Sequence, residues 1–157
     1  MKKILILTPR FPFPVIGGDR LRIYKICENL SKKYDLTLLS LCESEKEMNM
    51  QIEDNVFKKV YRVKLSPLYS YLNVLLSIPT NIPLQIAYYK STKFRKLIDE
   101  LLPEHDACIA HLIRVGDYIK DKKGIRILEM TDAISLNYKR VKINKNTNLR
   151  SIIYSIE

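Results

Sequence analysis

The chain has 157 residues, of which 46% are hydrophobic, so it has the length of one domain and enough apolar content for a buried core. A net charge of +10 and a pI near 9.5 favour anionic partners, but the basic residues are spread along the chain without a dense, aromatic-interleaved block, which argues against specific nucleic-acid binding. No apolar run approaches the roughly 20 residues of a transmembrane helix.

The cysteines point to the inside of a cell. Cys27, Cys42 and Cys108 are odd in number, and their spacings match neither a disulfide framework nor a zinc site. Such cysteines are typical of buried, reduced thiols. The apolar run near the start of the chain stops at Thr8, well short of the core of a signal peptide. We therefore expect a cytoplasmic protein.

The first predicted unit is a strand, a loop and a helix. Residues 4–8 form an apolar run typical of a buried strand, and a Pro-rich loop then leads to Gly17 and Gly18. From residue 19 to residue 30 the apolar positions recur with helical spacing. We expect Asp19 to be the N-cap residue of this helix, because its carboxylate can accept hydrogen bonds from the first turn.

The start of this helix also predicts an anion site. Gly17 and Gly18 allow a positive φ or a close backbone approach to a ligand. Arg20 and Arg22 place cations at the positive end of the helix dipole, where each costs roughly 0.3–1 kcal/mol. Two arginines on a solvated turn need no ligand, but combined with the glycine pair they favour a phosphate or carboxylate site. The spacing is not that of a dinucleotide fingerprint, so neither NAD nor FAD is expected.

Strands and helices alternate along the rest of the chain. This pattern predicts βαβ crossovers and an α/β fold with a Rossmann-like parallel sheet flanked by helices. Ligands of such sheets bind at the carboxyl ends of the strands. The predicted strands cover residues 36–41, 56–63, 106–110 and 125–130. A polar surface helix is predicted at 43–51 and an amphipathic helix at 90–102.

Residues 66–83 are apolar nearly all round and contain three prolines. One interpretation is a helix packed into a crevice of the protein. The other is an interfacial segment that touches an anionic membrane, peripheral on the inner face of the cytoplasmic membrane. The second interpretation rests on the basic residues at either side, which are Lys64, Lys90, Lys93, Arg95 and Lys96.

The two histidines are predicted to lie at opposite edges of the sheet. His111 follows the strand at 106–110 and therefore comes to the carboxyl edge, whereas His105 precedes that strand. His111 can serve as a hydrogen-bonding group or a base, or it can be structural. The strand at 125–130 delivers Asp132 to the same edge as His111.

Four motifs of the chain form a recognisable set. They are TPRFPFP at 8–14 with GGDRLR at 17–22, then HLIR at 111–114 and EMTDAISLNY at 129–138. The arrangement at 8–22 is fairly specific, and the other two motifs support it. Together they resemble the N-terminal, acceptor-side half of retaining GT-B glycosyltransferases of the family 4 type, particularly bacterial enzymes that build surface polysaccharides or glycolipids. The resemblance covers essentially the whole chain.

The resemblance implies roles for individual residues. His111 would hydrogen-bond the transferred sugar, and Asp132 would make acceptor or catalytic contacts. Basic side chains and helix dipoles would stabilise the leaving group, so no metal and no cofactor are expected, and a nucleotide-sugar would be the donor substrate. The implied substrate-binding residues are Gly17, Gly18, Arg20, Arg22 and Arg114.

The resemblance covers only half of such an enzyme. Related transferases hold the nucleotide-sugar mainly with a second Rossmann-like domain that carries a Glu-x7-Glu element, and residues 1–157 read as a single domain without it. The implied partners are a sugar or lipid-linked sugar acceptor and a C-terminal domain or second chain that completes the site. We expect little transferase activity from this chain alone. The alternative is a non-catalytic phosphate- or membrane-binding α/β module.

Overall fold

A five-stranded sheet, parallel throughout, forms the centre of the molecule. The structure is a computed structural model and describes residues 1–130. The strand order is β3-β2-β1-β4-β5, with helices on the connections, so the predicted Rossmann-like α/β fold is confirmed. The strands are β1 (Lys3–Thr8), β2 (Asp35–Cys42), β3 (Lys59–Lys64), β4 (Ala107–His111) and β5 (Ile125–Glu129).

The central strands are apolar on both faces because both faces of the sheet are covered. Along β1, Leu5 and Leu7 belong to one buried cluster, while Ile4 and Ile6 belong to the other. Alternate side chains of a strand point to opposite faces. A continuous apolar run is therefore what a strand in the middle of a covered parallel sheet requires.

The helices differ from the prediction mainly at their ends. The helix predicted at 43–51 is shorter, since Ser44 caps it by accepting a hydrogen bond from Glu47 N (3.2 Å). The strand predicted at 56–63 begins three residues later. The sequence patterns did not predict α4 or α6, which are only 5 and 4 residues long. The helices are α1 (Gly18–Leu30), α2 (Glu45–Asn49), α3 (Pro67–Ser77), α4 (Leu84–Tyr88), α5 (Thr92–Leu101) and α6 (Ile113–Gly116).

The apolar segment at 66–83 is not packed into a crevice by the described part of the chain. It forms α3 and the turn that follows, and most of its large apolar side chains are exposed, with Leu68 at 83%. Within residues 1–130, no helix combines the length and apolar character needed to cross a membrane.

Aromatic rings hold the loop that follows β1. Phe11 is fully buried, and its ring centroid lies 5.5 Å from that of Phe13, which in turn lies 5.5 Å from that of Tyr24 on α1. The guanidinium of Arg62 lies 4.3 Å from the Phe11 centroid. The Phe13-Pro14 peptide is cis. The loop is thus anchored against α1 just before the glycine pair.

The three cysteines are free and buried, as predicted. Burial raises the pKa of each thiol, Cys27, Cys42 and Cys108, to about 12, because the thiolate would lose its hydration. They therefore act as small apolar residues of the core rather than as reactive groups.

Candidate functional site

The candidate site lies where the strand order reverses. β1 connects through α1 to β2 on one side, and its neighbour on the other side is β4. The carboxyl ends of β1 and β4 therefore border a crevice of the kind in which open α/β sheets bind ligands. Three segments meet there: the loop after Thr8, the first turns of α1, and His111 at the end of β4.

A narrow hollow lies between these three segments. Its volume is about 10 Å³, which is the space of one water molecule or one hydroxyl group. Two arginines and one carboxylate contribute to its wall. The lining residues are Pro9, Arg10, Asp19, Arg20, Ile23 and His111.

The chain enters α1 through a glycine. Gly17 is the N-cap residue, with φ 97°, a conformation that side chains disfavour, and its carbonyl accepts a hydrogen bond from Leu21 N (3.0 Å). The prediction that Asp19 is the N-cap is wrong. Asp19 lies inside the first turn, where its Oδ1 accepts from Arg20 N (2.9 Å). A Cβ atom on Gly18 would meet open space, so Gly17 is the member of the pair whose backbone needs glycine.

Two short hydrogen bonds connect α1, β4 and β5 at this edge. Glu129 ends β5 and is the register partner of His111. Its Oε2 accepts from His111 Nδ1 (2.5 Å), and its Oε1 accepts from Arg22 Nε (2.5 Å). The backbone supports the arrangement, because Leu112 N donates to Glu129 O (2.8 Å). The guanidinium, the carboxylate and the imidazole thus form one connected unit.

The carboxylate determines which nitrogen of His111 carries the hydrogen. A carboxylate only accepts hydrogen bonds, so in the neutral ring Nδ1 is the N–H nitrogen and Nε2 is the bare one. His111 is 3% exposed, and its Nε2 is buried with no hydrogen-bond partner in the described part of the chain. His111 also lines the hollow, so the ring that carries this unused acceptor borders the crevice at the ends of β1 and β4.

Burial lowers the pKa of His111 below its ordinary value, because the imidazolium would lose hydration, and the hydrogen bond to Glu129 opposes this shift without cancelling it. The pKa of Glu129 is lowered too. Burial alone would raise it, but the hydrogen bonds from Arg22 and His111 outweigh burial. At neutral pH the unit therefore holds a charged carboxylate, which Arg22 balances, and a neutral imidazole.

These shifts predict that the protein loses stability in acid. Both groups have a lower pKa in the folded chain than in the unfolded one, so the unfolded chain binds more protons. The free energy of unfolding should fall first as the pH drops below 6.5, the ordinary value for His111, and again below 4.5, the value for Glu129. Urea unfolding across this pH range measures the effect.

The variant His111→Asn should flatten the first of these two steps, because it removes the titrating ring. The second step should remain, since Glu129 keeps Arg22 as a partner. Equal slopes for the two proteins between neutral pH and pH 5 or so would contradict the assignment of the step to His111.

The backbone after His111 is strained. Leu112 has φ 69° and ψ 153°, a region that is almost confined to glycine. Such a conformation costs of order 1–3 kcal/mol and occurs preferentially at functional sites. It turns the chain sharply out of β4 into α6, while the hydrogen bond from Leu112 N keeps the end of β4 against β5.

The other predicted site residues lie at different distances from this unit. Arg20 lines the hollow, and its Nη2 donates to Glu47 Oε1 on α2 (2.9 Å). Arg114 instead lies over the ring of Tyr89, 5.4 Å from the centroid, and is not among the residues that line the hollow. Asp132 lies outside the described residues.

The second histidine lies at the other edge of the sheet, as predicted. Both ring nitrogens of His105 have partners, with Nδ1 2.7 Å from Leu101 O and Nε2 2.8 Å from Thr37 Oγ1. These contacts tie α5 to β2. His105 is therefore a structural residue, and His111 is the histidine with a free acceptor.

Sequence reasoning assigned no role to Glu129, although it connects His111 to Arg22. The only local signal was a carboxylate at the end of an apolar strand, next to the predicted site edge. Across residues 1–130, the candidate site included, no group of three or more His, Cys, Asp or Glu side chains is placed to hold a metal ion.

Comparison with known proteins adds no assignment: no model of a protein family matches the chain, and a search of curated proteins finds no match.

Proposed function

We propose that this chain is the acceptor-side domain of a retaining glycosyltransferase that uses a nucleotide-sugar as donor, in the synthesis of a surface polysaccharide or glycolipid. The observation that carries the proposal is the bare, buried Nε2 of His111 at the switch point of a parallel sheet. The motif resemblance suggests the chemical class, and the geometry supplies groups suited to it.

The hollow fits one hydroxyl group of a sugar. Its volume of about 10 Å³ does not hold a whole ring. A hydroxyl that replaces one water there would donate to His111 Nε2, while the sugar ring lies outside, beside the exposed Gly17 and Gly18. A hydroxyl donor pairs with the bare tautomer of imidazole, and Glu129 holds the ring in that tautomer.

The same unit can stabilise positive charge. A retaining transfer passes through an oxocarbenium-like state, in which the sugar carries positive charge. As the sugar becomes positive, its hydroxyl becomes a stronger donor, so the hydrogen bond from that hydroxyl to the neutral imidazole strengthens, and Glu129 offsets the positive charge that the ring gains. His111 therefore contacts the reacting sugar in this proposal, and Glu129 and Arg22 are positioning residues.

Phosphate groups of a donor would lie at the start of α1. Arg10 and Arg20 line the hollow there, and no side chain of residues 1–130 caps the helix. Helix N-termini and arginines both favour anions. In the proposed enzyme the rest of the nucleotide-sugar is bound by a second domain or chain, so a mixture of this chain with a nucleotide-sugar and a sugar acceptor should give no turnover.

The test is a binding experiment on the full chain. A panel of hexose 1-phosphates is titrated while NMR follows the backbone amide signals of Gly17 and Gly18 in every variant, and the imidazole signals of His111 wherever that ring is present. We expect saturable shifts, and His111→Asn should weaken binding by roughly three- to tenfold, the worth of one hydrogen bond. His105→Gln is the matched control, because it alters the other histidine at the opposite edge of the sheet.

The outcomes separate binding from folding. A loss confined to His111→Asn supports the proposal. Equal losses of affinity in both variants would mean that the substitutions act through the fold. Unchanged affinity in both variants would mean that the ligand binds elsewhere. Either of these last two results overturns the proposed role of His111.

A second candidate function is a phosphate- or membrane-binding module without chemistry. It is favoured by the exposed apolar face of α3 and by a basic cavity beside it. Sugar-phosphate binding that shifts the signals of residues around that cavity, and leaves those of His111 unchanged, would favour this candidate.

A further inference from the structure

Helix α3 is inverted relative to an ordinary surface helix. Its inward face is polar: Ser70 and Ser77 are buried, and the half-buried Asn73 donates from Nδ2 to Lys90 O (3.2 Å). Its outward face is apolar. The exposed side chains are Leu68 (83%), Tyr69 (72%), Tyr71 (62%), Leu72 (49%), Leu75 (63%), Leu76 (66%) and, just after the helix, Ile78 (54%).

This arrangement is the reverse of what water favours. A surface helix normally turns its apolar stripe to the core and its polar residues to solvent. Here half of the large apolar side chains that are exposed on residues 1–130, seven of fourteen, lie in the 11-residue stretch 68–78. A contiguous exposed apolar patch of this kind marks an interaction site.

A basic cavity of about 460 Å³ lies beside this helix, between α3 and α5. Among the described residues, three cations line it, Lys64, Lys90 and Arg95, and no carboxylate does, although Lys64 also pairs with Glu45 on α2. The first turn of α5 also lines it, so the positive end of a helix dipole faces the same space.

A buried hydroxyl in the wall of this cavity has no partner. Ser70 is 0% exposed, and its Oγ makes no hydrogen bond within the described residues. A buried hydroxyl without a partner costs free energy that a ligand oxygen would recover. The cavity therefore combines cations, free donor capacity and a helix N-terminus, the features of a phosphate site.

The charge of the surrounding segment has a single sign. Residues 64–98 contain no Asp or Glu, whereas they contain five cations: Lys64, Lys90, Lys93, Arg95 and Lys96. Lys93, Arg95 and Lys96 are exposed in the first turns of α5, where they oppose the helix dipole. An anionic surface would balance this charge.

We propose that α3 and the cavity beside it dock this protein onto an anionic lipid surface, with the leucines of α3 among the acyl chains and a lipid phosphate in the cavity. The helix has 11 residues, which makes it about 16 Å long, so it lies in the plane of the interface. Tyr69 and Tyr71 suit the headgroup level, because their rings are apolar and their hydroxyls polar.

A lipid surface accounts for the observations better than the other occupants. A soluble phosphate would use the cavity but leave the leucines in water. A second copy of this chain would cover the leucines, but it would also bring its own cations close to the cations beside α3. An anionic bilayer would bury the apolar face and balance the positive charge. This explanation does not depend on the proposed sugar transfer.

The docking site and the candidate sugar site lie at the same end of the sheet. α3 begins at Pro67, three residues after the carboxyl end of β3 at Lys64, and His111 is at the carboxyl end of β4. If the proposed function holds, the membrane would therefore be on the side from which a lipid-linked acceptor arrives.

The test is co-sedimentation of the full chain with vesicles. One set contains only phosphatidylcholine, and the other contains equal parts of phosphatidylcholine and phosphatidylglycerol. We expect strong binding to the anionic set and weak binding to the neutral set. The double variant Leu75→Ser, Leu76→Ser should weaken binding by roughly tenfold or more, because it removes two side chains from the acyl region.

The charge arm has a matched control. Lys90→Gln with Arg95→Gln should weaken binding to anionic vesicles by roughly tenfold. Lys32→Gln with Lys33→Gln makes the same change in net charge at the opposite edge of the sheet, where both lysines are exposed, and should have little effect. Ser70→Ala should weaken binding roughly threefold while the fold stays as stable, since it removes a hydroxyl that has no partner.

Four results would overturn the proposal. The first is no binding to either vesicle set. The second is binding that survives the leucine variant while free glycerol phosphate fills the cavity equally well, which would indicate a soluble phosphate ligand. The third is self-association through α3 that the leucine variant abolishes. The fourth is a large loss of folding stability in the leucine variant, which would show that protein already covers this face.

Discussion

Replacing Phe94 with alanine is expected to lower the free energy of unfolding by about 3–5 kcal/mol. Phe94 is fully buried, and its ring packs against that of Tyr118, with centroids 5.1 Å apart. It lies in the same core cluster as Leu5 and Leu7 of β1. The truncation would remove a large apolar side chain and leave a cavity that close-packed neighbours cannot fill. Urea unfolding with fitted midpoint and slope measures the change.

The matched control is Leu76→Ala on α3. Leu76 is 66% exposed, so its truncation should change stability by no more than about 0.5 kcal/mol. The loss for Phe94 would be a large share of the 5–15 kcal/mol or so that stabilises a typical domain. Similar costs for the two variants would contradict the burial pattern on which the core and the docking face both depend.

Replacing Glu129 with glutamine is expected to lower the free energy of unfolding by about 1–3 kcal/mol. It should also allow the ring hydrogen of His111 to move from Nδ1 to Nε2. The buried Nδ1–H loses a charged acceptor that lies 2.5 Å away. The contact with Arg22 contributes little to this cost, because its side chain is 50% exposed. A glutamine amide can donate to Nδ1, and the ring hydrogen then moves to Nε2, as occurs when the triad aspartate of serine proteases becomes asparagine.

Two measurements check this prediction. Nitrogen chemical shifts of the imidazole should show a bare Nε2 in the original protein and a protonated Nε2 in a substantial share of Glu129→Gln. Hexose phosphate binding should fall together with the bare form, because the acceptor at the hollow is lost. If the variant keeps the original tautomer and the original affinity, Glu129 does not position His111 for binding.

Glu28→Gln is the control for the loss of charge. Glu28 Oε2 accepts from Lys25 Nζ (2.8 Å) on the exposed surface of α1. Exposed pairs of this kind contribute about 0–1 kcal/mol. A cost for Glu129→Gln no larger than that for Glu28→Gln would mean that the buried imidazole gains nothing from its carboxylate.

The membrane and sugar proposals are independent, although they share an edge of the sheet. The first depends on α3, Ser70 and the cations of α5. The second depends on His111, Glu129 and the hollow at the β1 and β4 ends. Variants of one set should leave the binding measured for the other unchanged in free solution. Each proposal can therefore fail without the other.

The order of strands and helices was predictable from sequence because burial on two faces demands long apolar runs. β1, β2 and β4 satisfy that demand, and their register places residues 4–7 beside 36–39 and 107–110. The edge to which His111 comes followed from strand direction alone. Local patterns carry this information, since each strand must be apolar wherever helices cover it.

Helix ends and faces were less predictable because several local solutions compete. Asp19 and Gly17 are both suited to the start of α1, and Gly17 is the N-cap residue. Along α3, apolar side chains outnumber polar ones, so the pattern itself does not define an inward face. Of the polar side chains on the inward face, Asn73 gains a partner outside the helix, because Lys90 O in the turn after α4 accepts its hydrogen bond.

By itself the sequence determined a parallel α/β sheet and a histidine at its carboxyl edge, whereas the glycine at the N-cap of α1 emerged only from the structure. Only the tertiary structure decided that Glu129 joins His111, 18 residues away, to Arg22, 107 residues away. The physical reason is that a carboxylate forms hydrogen bonds with donors that are close in space, whatever their separation in sequence. That distance depends on the pairing of β4 with β5 and on the packing of α1 over the sheet, and neither appears in the order of residues along the chain.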